Sequence, residues 1–468
     1  MERLIKVGKV TPKTSQEIKE SRFGLGMEKL DRDAFDPSKV YDKVALLGVK
    51  WIRLQSGWQK TEKEKNIYNF SWLDEQVDNL LSRGLKPWLC LCYGNKLYDE
   101  FAAEYYGAVG CPPIRTKEAY DAWLNYCRET VKHFKGRIEY YEIWNEPEGD
   151  WCWKPKVNVL EYAEFAIRTG KVIKETDNSA KVITGSHYMR SLAPLYAEFE
   201  AGMAEVTDAI TYHDYCYDET FIQHRVKAIR NICDNYKKGI EIIQGESGSQ
   251  SKSGGSGAMY WVATNERMQA KQLARHTISD ILAGVKFTST FACVDMAENL
   301  CAKENTVIDT YGWFGVLSAE FDKNTGAAIG EYKEKPSYYC LQNLCSIFDE
   351  NVEVCDLPIL LRPQPSPRIE TLDCTDSSLV LGGVKKSNGA KALVYWNSTS
   401  MFTFKEWEAT ITIQSVGLSE KICLIDPMDG SIYEIPENMI TKEYDGVLQF
   451  NNLPIKDYPM ILTFGDFI

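Results

Sequence analysis

No stretch of 18 apolar residues occurs in this chain, so a membrane-spanning helix of ordinary length is excluded and no membrane partner is expected. Histidine is scarce. There are five in 468 residues, none in an HxH or HExxH pattern, which argues against a metal-dependent hydrolase; no metal and no cofactor is expected. Positive charge is also short: 54 Lys and Arg against 66 Asp and Glu leave a net charge of −12, the wrong sign for neutralising phosphates. Nucleic acid is therefore not expected as a partner. The fourteen cysteines include no CxxC knuckle, and Cys90 and Cys92 alternate along one strand face as buried thiols would. So many unpaired-looking thiols fit a reducing compartment. The start Met1–Val7 lacks the apolar core and small-residue cleavage site of a secretion signal, and a cytoplasmic location is expected, although a chain trimmed of its signal would read the same.

What is present is the material of a soluble globular protein, 44% apolar and 26% charged, and at 468 residues long enough for two domains. Aromatics are plentiful, with 12 Trp, 26 Tyr and 18 Phe; most serve cores, and the remainder supply flat faces of the kind on which sugars stack.

From about residue 22 to 345 one theme repeats: a short β-rich apolar run, a polar or glycine turn, then a helical pattern. Eight such runs are countable, at Phe23–Leu30, Val49–Ser56, Lys86–Tyr93, Tyr140–Asn145, Lys181–Gly185, Ala209–Tyr215, Ile240–Glu246 and Phe287–Asp295. Between them Trp72–Arg83, Lys117–Phe134, Val159–Glu175, Ile222–Tyr236 and Glu266–Leu282 carry apolar residues at spacings of three and four. Strand–helix alternation implies a parallel sheet, and eight units imply a closed (β/α)8 TIM barrel. The proline-rich stretch from Leu357 to Pro367 reads as a linker. Beyond it, runs at 379–385, 391–396, 407–415, 421–426 and 459–464 are divided by Asn-Gly, Asp-Gly and Asn-Asn turns and predict an antiparallel β-sandwich. The expected division is a barrel over 1–350 and an accessory sandwich over 351–468, with residues 1–20 assignable to packing on the sandwich. No cluster of carboxylates or histidines marks the second unit as catalytic, so it is expected to pack or to border the substrate.

The most informative segments are Ile143-Trp144-Asn145-Glu146-Pro147 and, a hundred residues on, Ile242-Ile243-Gln244-Gly245-Glu246-Ser247. Each sets a carboxylate at the C-terminal end of an apolar strand, where barrel enzymes keep their chemistry. Two such carboxyl groups meet the needs of glycosidic bond cleavage, in which one protonates the leaving oxygen while the other attacks or activates water. Pro147 lacks an N–H and biases its predecessor toward extended geometry, which is expected to hold Glu146 at the strand end. Asp295, after the eighth run, is the nearest rival to Glu246. His187, after the fifth strand, is a candidate substrate contact. Trp58, Tyr93, Asn95 and Trp313 fall on loops or strand ends of the same side as candidates for sugar stacking or hydroxyl contacts, and Phe291 and Asp295 as pocket floor. Ser247–Gly257, reading SGSQSKSGGSG, is expected to be a flexible loop at this face, either a lid or a plain surface loop.

The Trp-Asn-Glu-Pro box on strand four with a Glu on strand seven resembles the clan A glycoside hydrolases, over the whole barrel. Within that clan, Leu47–Arg53, Trp144–Pro147 and the single appended β-domain are most similar to glycoside hydrolase family 39, whose members include β-xylosidases; the strand-seven box departs from the usual Thr/Ser-Glu-Trp/Phe, reading Gly245-Glu246-Ser247. The resemblance implies a retaining mechanism with Glu146 as general acid/base and Glu246 as nucleophile, the carboxyl groups about 5–5.5 Å apart. Repulsion between them would help to split their titrations. It further implies that Asn145 hydrogen-bonds the sugar 2-hydroxyl, that Arg53 keeps a fixed positive charge near the nucleophile, and that His213 or Tyr215 hydrogen-bonds it. The resulting expectation is an exo-acting glycosidase of short oligosaccharides or β-glycosides, β-xylosidase-like. Alternatives are an endo-glycanase, an arabinosidase or other-sugar glycosidase of the clan, and, outside enzymes, a catalytically retired carbohydrate-binding barrel. The sugar, the linkage and whether the chain forms a homo-oligomer are left open by the sequence.

Overall fold

The apolar runs form a closed barrel of eight parallel strands: β1 Phe23–Gly26, β2 Trp51–Gln55, β3 Lys86–Leu91, β4 Tyr140–Ile143, β5 Lys181–His187, β6 Ala209–His213, β7 Glu241–Ser247 and β8 Thr288–Thr290. The computed structural model describes every residue except 2, 189–190, 365–377, 400, 402–403, 416 and 420. Because successive side chains alternate across a strand, inward residues recur every second position and stack in layers. The lowest layer is apolar and comes from six strands and the residue entering β8, with Trp51, Trp88, Tyr140, Ile183, Ala209, Ile243 and Phe287 in one buried cluster. Trp51 stacks on Phe287 at 4.4 Å between ring centres, and Gly24 on β1 leaves the room, since a Cβ there would lie 3.1 Å from that of Trp51. Each buried ring of this floor stabilises by roughly 1.5–3 kcal/mol relative to exposure. Two residues further along, the same strands present Arg53, Glu142 and Thr211, a polar layer laid on an aromatic one.

The helices between strands follow the predicted spans closely. Lys117–Phe134 buries Ala119, Tyr120, Trp123, Tyr126, Cys127, Thr130, Val131 and Phe134, one face at spacings of three and four, and starts at Thr116, whose hydroxyl accepts from the Ala119 N–H. Asn158 and Asn265 cap Val159–Thr176 and Glu266–Leu282 in the same way. The last of these is buried from Met268 to Leu282 on every side. Its second face meets the C-terminal domain, where Lys271 pairs with Asp457 at 2.6 Å and Arg275 Nη1 donates to the Thr399 carbonyl. Among the described residues no helix is long and apolar enough to cross a membrane.

The C-terminal domain is an antiparallel sandwich. A seven-stranded sheet runs Ile5–Lys9, Ser431–Glu434, Ile422–Asp426, Met460–Phe464, Lys391–Asn397, Leu379–Lys385, Glu353–Cys355, and faces a four-stranded sheet of Ile359–Pro363, Trp407–Gln414, Val447–Ile455 and Ile440–Lys442. Leu393, Tyr395, Trp407, Ile411, Phe450 and Leu462 fill the space between them. The N-terminal strand Ile5–Lys9 thus belongs to this sheet, paired with Ser431–Glu434. The proline-rich stretch differs from the expected linker: Ile359–Pro363 is a strand paired with Trp407–Gln414. It lies at the sheet edge, where a proline without an N–H is tolerated. Residues 365–367 of that stretch lie outside the described residues.

Candidate active site

The C-terminal ends of the strands surround a cavity of about 500 Å³, lined by residues at or just beyond the ends of all eight. Glu146 enters it from the turn after β4. Its backbone is left-handed, φ 46°, and Trp144 two residues earlier has φ 69°. Pro147 therefore does not hold Glu146 extended, as the sequence suggests; the conformation is fixed instead by the Glu146 N–H donating to the Ser186 carbonyl at 3.0 Å and its carbonyl accepting from Gly149 N–H at 3.0 Å. Non-glycine residues in this region are uncommon and such strain gathers at working sites. The Trp144 ring anchors the turn in the core among Tyr93, Trp123, Trp153 and Phe165, with its indole N–H on the Cys152 carbonyl at 2.6 Å.

Glu246 comes from β7 through a bulge. The register with β6 passes from Tyr212↔Gln244 to His213↔Glu246, so Gly245 is the extra residue, and a Cβ at 245 would crowd Thr211 at 3.1 Å and His213 at 3.3 Å. A second irregularity, between Gly185 and His187 on β5, leaves Ser186 unpaired at φ 54°. It turns the Ser186 hydroxyl onto Glu142 at 2.8 Å.

Arg53, fully buried on β2, ties these groups together. Its Nη1 donates to Glu246 at 2.6 Å, its Nη2 to the Asn145 side-chain oxygen Oδ1 at 2.8 Å and its Nε to Glu142 at 2.8 Å. Burial opposes charge on Glu142, but Arg53, His213 and Ser186 overcome it and hold that carboxyl down at about 2. Since the guanidinium can only donate, Asn145 must turn its oxygen to Arg53, which leaves its NH2 group facing the cavity and Cys152.

Around the two glutamates the donors are divided. Tyr215 donates its hydroxyl to Glu246 at 2.5 Å; burial, then Glu246 and Glu146, push this phenol far up, so it keeps its proton. His213 Nδ1 lies 2.8 Å from Glu146 and 3.8 Å from Glu246, so the histidine serves Glu146 first. Its ring is raised to about 9 because the surrounding carboxylates outweigh burial. Trp151 donates its indole N–H to the other oxygen of Glu146 at 2.6 Å. Burial raises the Glu146 carboxyl, His213 opposes this, and Glu246 and Glu148 add to it. Glu146, His213 and Glu246 each bring one ligand atom within 4.8 Å of the others.

Residues 46–245 match the family model of glycosyl hydrolases family 39. The chain is a glycoside hydrolase, most like family 39. The fold is shared with solved structures at low identity. A family 39 glycoside hydrolase from the gut symbiont Bacteroides cellulosilyticus WH2 is 17% identical with a TM-score of 0.65, covering 97% of this chain and 83% of that one. A monomeric beta-xylosidase from Caulobacter crescentus CB15 is 14% identical, TM-score 0.57, over 98% and 97%. An alpha-L-arabinofuranosidase from Thermotoga maritima, solved with arabinose, is 14% identical, TM-score 0.55, over 97% of each chain.

The hydrolase does not bring every residue named from sequence to the cavity. Tyr93 and Phe291 line it. His187 instead is buried between Glu148 at 3.0 Å and Glu198 at 2.8 Å, and its neighbour Tyr188 faces the cavity. Trp58 is packed against Tyr98, Trp123 and Tyr126, turned inward by its place in the short helix Trp58–Thr61. Asn95 folds its own loop, donating to the Glu62 carbonyl and accepting from Leu97 N–H. Asp295 is paired with Lys335 at 2.6 Å, because β8 ends at Thr290 and the chain turns away. Trp313 holds the serine- and glycine-rich loop through its carbonyl, which accepts from Ser251 N–H. That loop is packed: Gln250 donates to the Ser256 and Ala258 carbonyls, Ser256 N–H to Tyr311, and Ser256, Gly257 and Ala258 form cavity wall. The sandwich domain contributes no described residue to the cavity. Glu142, Glu28 and Trp151 are absent from the sequence reading; Glu142 alone carried a signal, sitting inward two residues from Tyr140.

Proposed function

We propose that this glycoside hydrolase is a retaining, exo-acting enzyme of short oligosaccharides or β-glycosides, β-xylosidase-like, with Glu246 as nucleophile and Glu146 as acid/base. The observation that carries the reading is that one carboxylate oxygen of each comes within 4.8 Å of one of the other, a close approach of the two groups. Carboxyl groups about 5–5.5 Å apart suit direct attack on the sugar, whereas inverting enzymes need about 6.5–9.5 Å to admit a water. In the first step a Glu246 oxygen attacks the anomeric carbon while Glu146 gives its proton to the departing oxygen, producing a glycosyl ester on Glu246 and a free alcohol. The charge left on Glu146 is met by the Trp151 N–H and the His213 ring, both already in place. In the second step Glu146 takes a proton from water, the water oxygen attacks the anomeric carbon, and the ester bond breaks to restore Glu246.

Exo action is supported by a cavity walled by residues from all eight strand ends. A leaving group of one or more sugars is supported at its rim, where Trp261 lines the cavity yet is 63% exposed beside Tyr260 at 61%. A reducing, cytoplasmic setting is supported by thirteen free cysteines among the described residues. The test is hydrolysis of nitrophenyl α- and β-xylosides, glucosides, galactosides and arabinosides by the protein and its Glu246→Gln variant. Release from one substrate, lost in the variant, is the expected result. Silence of folded protein across the panel and on xylo- and arabino-oligosaccharides would contradict it.

A further inference from the structure

The cavity holds a carboxyl group that the two-glutamate mechanism leaves unused. Glu28 follows β1, lines the cavity and is 1% exposed. One of its oxygens lies 3.5 Å from Arg53 Nη1, a long contact, because the guanidinium is already shared among Glu142, Asn145 and Glu246. The other oxygen, Oε2, is buried with no hydrogen-bond partner. Gly26 makes this placement feasible: a Cβ there would stand 2.2 Å from Glu28 Oε2, so only glycine lets the carboxyl fold back over the strand end. A buried oxygen without a partner is unfavourable in the free protein. Glu28 stands at the wall of a ligand cavity, beside the residue that attacks the sugar, so a turn of its side chain away from Gly26 would bring this covered oxygen to a ligand hydroxyl and supply the missing bond.

We propose that Glu28 hydrogen-bonds a ring hydroxyl of the sugar seated on Glu246 and thereby helps to select which glycoside is cleaved. This rests on the glycosidase reading above and adds a specificity residue to it. Burial, opposed by Arg53 and reinforced by Glu246, pushes the Glu28 carboxyl up to about 8. This favours the protonated form, which can both donate to and accept from a hydroxyl, as the hydroxyl itself does. A site built to bond a hydroxyl rejects the sugar lacking it far more steeply than an apolar wall does.

The test compares wild type, Glu28→Gln and Glu28→Ala on the cleaved nitrophenyl glycoside and its monodeoxy forms, with kcat and KM measured separately and folding checked by thermal melting. In wild type, loss of one particular hydroxyl should lower kcat/KM by about 10- to 100-fold. In Glu28→Ala that single penalty should shrink to about twofold while the penalties at other positions persist; Glu28→Gln, which keeps a donor and an acceptor, should fall between, and carries the test if the alanine variant does not fold. Unchanged penalties at every position would overturn the proposal and leave Glu28 a positioning residue for Arg53. If no glycoside is hydrolysed, the glycosidase reading falls, and the comparison moves to NMR titration with xylose, arabinose, glucose and galactose and their deoxy forms. There, loss of one hydroxyl's contribution in Glu28→Ala supports the role, and unchanged or absent binding overturns it.

Discussion

Replacing Trp151 by Phe removes one hydrogen bond from the candidate acid and keeps an aromatic ring in the cavity wall. The indole N–H lies 2.6 Å from Glu146 Oε2, while His213 covers Oε1 at 2.8 Å. Burial raises the Glu146 carboxyl toward the form an acid needs, and in that protonated form the N–H meets a neutral carboxyl. As the leaving oxygen takes the proton the carboxyl becomes charged, and a bond to a charged acceptor is worth about 1.5–3 kcal/mol. Most of that strengthening appears in the transition state, so Trp151→Phe should lower kcat/KM by about 10- to 150-fold on a poorly leaving methyl glycoside or disaccharide. A dinitrophenyl glycoside, whose leaving group departs without a proton, should lose no more than about threefold, since acid assistance is the contribution removed. The pH profile carries an independent sign. The N–H favours the ionised carboxylate, so its loss raises Glu146 further and the basic limb of kcat/KM moves to higher pH. Equal losses on both leaving groups, or a basic limb moving to lower pH, would refute this account of Trp151.

Glu146→Gln should reduce hydrolysis of poor leaving groups by about 10²–10⁴-fold, and added azide should restore turnover of dinitrophenyl glycosides as the glycosyl azide, which chromatography would detect. Trp261→Ala should raise KM for oligosaccharides by roughly fivefold, a stacking contribution on the order of 1 kcal/mol, and leave methyl glycosides unchanged; equal effects on both would remove it from the leaving-group side. His187, raised to about 10 by Glu198 and Glu148 against burial, has a folded-state value above its ordinary 6.5. Its stabilising contribution is therefore complete below pH 6.5 and lost as pH rises toward 10, at most about 5 kcal/mol. His187→Gln should flatten the melting temperature over that alkaline range, and a wild-type profile already flat there would contradict the pairing.

The barrel was legible because its signal is local. Apolar runs of strand length alternate with helical periodicity, and the five predicted helices lie within about a residue of the observed ones. Glu146 and Glu246 stood out because both close apolar strands. What remained hidden depends on contacts between distant segments. His187 ends its strand as a binding residue would, but Glu148 and Glu198 reach it from two other segments. Trp58 sits beyond β2 on the catalytic side, yet its ring turns into an aromatic cluster built by Tyr98, Trp123 and Tyr126. Trp151 reaches Glu146 through a turn closed by Gly149, whose Cβ would lie 2.3 Å from the indole, and turn geometry has no periodic pattern to read. Glu28 looks like any polar residue after a strand until the fold lays it beside Arg53.

The central claim, a covalent intermediate on Glu246, is tested most directly with a 2-deoxy-2-fluoro glycoside of the hydrolysed sugar carrying a dinitrophenyl leaving group. Fluorine slows both steps, and the good leaving group lets the ester accumulate, so intact-mass spectrometry should show one added fluorosugar and a proteolytic map should place it on the peptide containing Glu246. A label on another carboxylate, or hydrolysis of the parent glycoside with inversion at the anomeric carbon, would contradict the account.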